Sequence, residues 1–215
     1  MKIAKKVLLE EFGSPDNMKI VSVELSAPAA GEVQLKQTAI GLNFIDIYQR
    51  KGVYPLQLPT GLGHEAAGVI EAVGDGVTSF KPGDRVAYMN AGLGAYADFR
   101  NVPADRLVHI PDEVSDEDAV ALLFKGITAQ YLLRKTHEVK KGETILVHAA
   151  AGGVGQILCQ WGKALGAFVI GTAGSPEKCA IAKACGADIV VDYSKENWVE
   201  TLLAATNGKK ANVVY

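Results

Sequence analysis

Apolar residues alternate in short runs over the first half of the chain and gather into near-continuous runs over the second. Between Lys5 and about Arg106, the runs Val33 to Lys36, Gly68 to Val73 and Arg85 to Tyr88 have the period of two expected of strands, with glycine and proline between them. Val73-Gly74-Asp75-Gly76-Val77 supplies residues that tolerate the positive φ of a tight turn, and Lys81-Pro82-Gly83-Asp84 supplies a second turn. After Pro111 the texture changes. Ser115 followed by Asp116, Glu117 and Asp118 puts a capping side chain and three acids where a helix dipole favours them, so this acidic cluster reads as a helix start and not as a metal site. Beyond Lys141-Gly142 the pattern predicts strands at Thr144 to Ala149, Phe168 to Thr172, Ile189 to Asp192 and Asn212 to Tyr215. Helices are expected to begin near Val154, Ser175 and Lys195. Such alternation means parallel strands joined by right-handed crossovers.

The first of these strands leads directly into Ala150-Ala151-Gly152-Gly153-Val154-Gly155 and then into a helical stretch. The spacing Ala150-x-Gly152-x-x-Gly155 is a dinucleotide fingerprint with alanine in the first glycine position. Small residues let the backbone approach a pyrophosphate, and the free amides of the helix N-terminus attract it. At the end of the second strand an NAD site carries an acid for the ribose 2′-hydroxyl. Here the segment is Gly171-Thr172-Ala173-Gly174-Ser175, followed by Pro176, Glu177 and Lys178. An uncharged loop with a lysine one turn into the helix suits a 2′-phosphate, so NADPH is expected over NADH. The plain alternative for Lys178 is an ordinary exposed helix lysine.

Composition narrows the classes further. The 215 residues are 48% hydrophobic and 21% charged, which is a globular composition, and the net charge of −2 gives no general attraction to nucleic acid or anionic membrane. Neither a secretory signal nor a membrane span is recognisable near the N-terminus, where Lys2, Lys5 and Lys6 interrupt the apolar residues. Cys159, Cys179 and Cys185 are odd in number and lack a C-x-x-C spacing. A reduced, cytoplasmic setting is expected.

Three segments carry a resemblance. Gly61-Leu62-Gly63-His64-Glu65-Ala66-Ala67-Gly68-Val69-Ile70-Glu71-Ala72-Val73-Gly74, the upstream Gly41-Leu42-Asn43-Phe44-Ile45-Asp46, and Ala149 to Gly155 together resemble the medium-chain dehydrogenases and reductases. Within them they look like the zinc-independent, zeta-crystallin-like quinone oxidoreductases, and the likeness spans essentially the whole chain. It implies an α/β protein: a β-rich GroES-like catalytic domain over residues 1–124, then the first part of a doubly wound Rossmann domain over residues 125–215.

The resemblance also implies NADPH:quinone reduction, by hydride or single electrons, in a homodimer. Asn43, Tyr48 and Tyr54 would stand at the nicotinamide and quinone. Asn43, Asp46, Tyr131, Gly152, Gly153, Val154, Gly155, Gly174, Ser175, Lys178 and Tyr193 would bind the cofactor. Tyr48 and Tyr54 read equally as packing aromatics. In zinc-dependent alcohol dehydrogenases of the same superfamily a cysteine stands at the position of Asn43 and a second near Leu123-Phe124-Lys125-Gly126. Here neither is present, and residues 86 to 130 contain no cysteine. Since catalytic zinc needs three protein ligands, no metal is expected, and His64 reads as a locally bonded turn histidine. Sister branches reduce enoyl or haloacrylate double bonds, and some relatives bind RNA; both stand as alternatives. The last strand, Asn212 to Tyr215, ends the sequence where the family continues, so a fragment is expected.

Overall fold

The computed structural model describes residues 2–215. It divides into two compact units, the first ending at Phe124 and the second running Lys125–Tyr215. Among the described residues no helix is long and apolar enough to cross a membrane.

The first unit opens with an antiparallel hairpin of β1 (Lys2–Leu9) and β2 (Met18–Leu25). Its main sheet joins β3 (Glu32–Ile40), β4 (Glu65–Val73), β5 (Arg85–Met89), β6 (Phe99–Pro103) and β7 (Leu107–His109) in the antiparallel order β6-β3-β4-β5-β7. The central strand β4 is buried on both faces at its start. Ala66 packs with Val33, Leu35, Val86 and Tyr88, whereas Ala67 joins Ala87, Ile110 and Val120 in a second cluster. Alternation of side chains across a strand produces that division. Gly68 follows where β3 shifts register, and a Cβ there would lie 2.1 Å from the Lys36 carbonyl oxygen.

A seven-residue helix, α1 (Phe44–Arg50), interrupts the strands, an element that the hydrophobic pattern does not announce. Helix α2 (Asp116–Tyr131) starts at the expected cap, with Ser115 Oγ accepting from Asp118 N–H at 3.0 Å. Arg85 on β5 donates to Asp116 at 2.7 Å, and Thr38 on β3 donates to the same carboxylate, so three elements meet at the helix start. After Tyr131 the helix widens into a π-turn over Leu132–Thr136.

The second unit holds a parallel sheet of β8 (Thr144–Val147), β9 (Phe168–Ala173), β10 (Ile189–Asp192) and β11 (Val213–Val214), ordered β10-β9-β8-β11. Between them run α3 (Gly153–Ala164), α4 (Pro176–Ala184) and α5 (Trp198–Ala205). Strand order reverses beside β8, which is where open α/β sheets bind ligands. The core sets Ile145, Val147, Val169, Leu158 and Cys159 together, all buried. Helix α5 begins three residues later than the expected Lys195. Asp192 first closes a turn, accepting from both N–H and hydroxyl of Ser194.

Candidate functional site

The glycine turn leaves β8 through Ala149, a non-glycine residue in the left-handed region at φ 49°, and enters α3 at its N-cap, Gly152. Ala150 is fully buried and its N–H donates to the carbonyl of Thr172 on β9. The close approach explains the glycines. A Cβ on Gly155 would fall 2.4 Å from the Ala149 carbonyl oxygen, and one on Gly171 would fall 2.8 Å from the Ala150 Cβ. Gly152 to Gly155 thus form the start of a helix pressed against its own strand, Gly152 and Gly153 exposed and Gly155 buried, with first-turn amides that have no intrahelical partner. Such a helix start favours an anion. Gln156 Nε2 donates to the Ala151 carbonyl at 2.9 Å.

The end of β9 supplies a second half of the cradle. Ser175 caps α4, its Oγ accepting from Lys178 N–H at 3.3 Å, which leaves the exposed Lys178 side chain beside the helix start. The Tyr193 ring lies over Gly174, where an added Cβ would meet the Tyr193 hydroxyl at 2.8 Å. Gly174, Ser175 and Tyr193 are thus brought together with the start of α4. Tyr131 stands at the end of α2, 46% exposed. These features fit a dinucleotide: the turn has room only for backbone, β9 ends at Ala173 without an acid, and the first turn of α4 offers Lys178 beside Glu177.

In the first unit, Asn43 caps α1 from an extended conformation. Its side-chain amide donates to Glu65 Oε1 at 2.8 Å, and Glu65, fully buried, also accepts from the Phe124 N–H. Asp46 is turned inward. Its Oδ2 accepts from Asn43 N–H and from the Tyr96 hydroxyl, both at 2.8 Å, while its buried Oδ1 has no hydrogen-bond partner. Burial, the hydrogen bond to Asp46 and the charges of Asp46 and Glu65 push the Tyr96 phenol well above its usual range, which keeps its proton in that bond. His64 Nε2 lies 3.0 Å from Gln49 Oε1 and 3.9 Å from Asp46 Oδ1, and its ring stacks at 6.1 Å on Phe124.

Outside this polar knot α1 carries an exposed aromatic row. Phe44 meets Tyr48 edge-on at 5.0 Å, and Tyr48 meets Tyr54 at 5.5 Å. The family resemblance points to the two tyrosines; Phe44, 66% exposed, joins them only in the structure. A phenylalanine opening a polar-capped helix, next to the exposed Leu42, was the available signal. Burial, then neighbouring Cys185, pushes Cys159 up to about 11, and burial also raises Cys179.

Two family models match in succession: the alcohol dehydrogenase GroES-like domain over residues 29–112 and the zinc-binding dehydrogenase over residues 153–215. A GroES-like unit followed by a dehydrogenase nucleotide unit defines the class. A quinone oxidoreductase of Pseudomonas aeruginosa is 50% identical over 99% of this chain and 66% of its own length. The crystal structure of Escherichia coli quinone oxidoreductase complexed with NADPH aligns with a TM-score of 0.95 and 48% identity, over 98% of this chain and 65% of that one. A 2-haloacrylate reductase of a Burkholderia species is 42% identical over 97% of this chain and 64% of its length. The chain belongs to the medium-chain dehydrogenase/reductase superfamily, and within it these quinone oxidoreductases are among the proteins it resembles most. It spans just under two thirds of the length of these relatives.

The zinc in the second family's description does not suit the residues present. Asn43 offers an amide already bound to Glu65, and Phe124 stands in the segment where the zinc enzymes place a second cysteine. Among the described residues no group of three His, Cys, Asp or Glu side chains could hold a metal ion.

Proposed function

We propose that the protein reduces quinones with NADPH and without zinc. The observation that carries this reading is the turn from β9 into α4, where Gly174 lies beneath the Tyr193 ring, β9 ends without an acid, Glu177 is engaged by Ser175 and the exposed Lys178 offers a cation to a 2′-phosphate. The pyrophosphate is assigned to the amides of Gly153 and Val154 at the start of α3. Bound NADPH supplies the hydride. Asn43 and the exposed rings of Tyr48 and Tyr54 are assigned to the nicotinamide and acceptor, with aromatic faces suited to a flat, electron-poor ring. A quinone is already electrophilic, so the protein's work is chiefly to position and orient. Family resemblance supports a homodimer, and unpaired cysteines support a cytoplasmic setting.

Steady-state assays of the intact protein test the reading, using several quinones and several enals with NADPH or NADH. Quinones with NADPH are expected to give the highest kcat/KM. The Burkholderia relative favours a second reading, reduction of an activated carbon–carbon double bond, and faster turnover of enals would select it. Faster turnover of an unactivated alcohol with added zinc would overturn both.

A further inference from the structure

The polar knot around α1 contains more ionisable chemistry than a helix cap needs. Asp46 has two jobs for one oxygen and none for the other, although the residue is only 3% exposed. An orphaned buried carboxylate oxygen is costly unless a charge or donor stands near it. The group nearest in kind is His64 Nε2 at 3.9 Å. That nitrogen also faces Gln49 Oε1, so both of its neighbours are acceptors and it retains its proton. Exchange with solvent or substrate therefore falls to Nδ1. The ionisable groups around the ring are Asp46 from α1, Glu65 beside it on β4, and the Tyr96 hydroxyl bonded to Asp46. Helix α2 presents the uncharged Phe124 ring. His64 packs on the helix that carries Asn43 and Tyr48, the residues assigned to the nicotinamide and acceptor.

We propose that His64 donates the proton that completes reduction of the acceptor, with Asp46 as the positioning residue that compensates its charge. The inference rests on the quinone reductase reading. The hydride adds to one quinone oxygen, the π electrons shift through the ring and leave the second oxygen as the oxyanion of the hydroquinone, and His64 Nδ1–H protonates that oxygen. Solvent then returns a proton to His64, so the sum is one NADPH, one proton and one quinone giving NADP⁺ and hydroquinone. A protonated imidazole would thus do, as a Brønsted acid, what zinc does as a Lewis acid in sites that can hold it.

The test uses the intact protein with saturating NADPH and quinone. His64→Ala is expected to lower kcat about a hundredfold, the usual scale of general acid catalysis, with the NADPH KM within about twofold of the parent. Imidazole added to the buffer is expected to restore much of the loss, which a merely structural histidine would not allow. His64→Gln, whose amide can keep the Gln49 contact but holds no acidic proton, should show the same loss if the alanine variant folds poorly. Asp46→Asn should lower kcat without becoming rescuable by imidazole. An unchanged kcat in His64→Gln, or a loss that imidazole leaves untouched in a folded His64→Ala, would overturn the proposal while leaving quinone reduction standing. A parent protein that reduces no quinone would overturn the underlying reading, and the proposal with it.

Discussion

Gly155 and Lys178 show how differently two residues of one cradle depend on their side chains. A methyl on Gly155 has nowhere to go, because the Ala149 carbonyl oxygen and the Ala150 Cα lie within 2.8 Å of the site it would occupy. Gly155→Ala is therefore expected to cost about 1–3 kcal/mol, the range for forced overpacking, and to abolish measurable NADPH binding. Thermal denaturation beside a fluorescence titration checks both. Lys178 touches nothing that its loss would disturb, so Lys178→Ala should leave stability within about 0.5 kcal/mol. Its effect should appear in the NADPH KM, raised roughly tenfold by loss of one charge-assisted contact, with the NADH KM unchanged. Equal effects on both cofactors would count against a 2′-phosphate site. The tight packing at Gly155 and the exposure of Lys178 were legible in the sequence, because the glycine spacing and the residue type imply them. The inward turn of Asp46 was not, since it depends on Tyr96, fifty positions away.

Among the elements, the strands of the second unit follow their apolar runs to within two residues at either end, and for β8 and β9 burial on both faces leaves the pattern unambiguous. Helix α1 is not legible in the hydrophobic pattern, for a physical reason. Seven residues are too few to display a helical period, and its buried Gln49 and Arg50 are satisfied by distant partners, His64 and the Gly13 carbonyl. Helix α2 was legible from its cap, but not its tether to the sheet. Burial alone would raise the Asp116 carboxyl; the hydrogen bonds from Thr38 and Arg85, with the charge of Arg85, outweigh it and hold the group below the usual carboxylate range. A depressed folded value stabilises above the unfolded pKa, near 3.9, and that contribution is lost as pH falls through the folded value. Asp116→Asn is accordingly expected to cost about 1 kcal/mol at pH 7 and progressively less below pH ~4. Chemical denaturation at a series of pH values checks it, and a cost independent of pH would assign the effect to packing.

At the scale of the molecule, each unit has its own core, and the chemistry assigned to them differs. Hydrogen exchange of the intact protein is expected to reflect this when NADPH is added. Slowing should concentrate in peptides spanning residues 149–156 and 173–178, while the β3, β4 and β5 core exchanges as before. Uniform slowing would show that the assigned cradle is not where binding energy enters. The net charge of −2 belongs to this scale as well. RNA affinity measured beside NADPH affinity should be weak; a steep fall with added salt would instead reveal phosphate contacts of the kind that the RNA-binding alternative requires.

Ala150 in place of the first fingerprint glycine has a consequence for the order in which such a sequence can change. Its methyl occupies the space that a side chain on Gly171 would need. Gly171→Ala alone should therefore fail, whereas Ala150→Gly opens the gap and makes the second step permissible. The two positions form an epistatic pair, and a double-mutant cycle should give a favourable coupling of about 0.5–3 kcal/mol. Lineages can cross from one arrangement to the other only through the intermediate that has glycine at both sites.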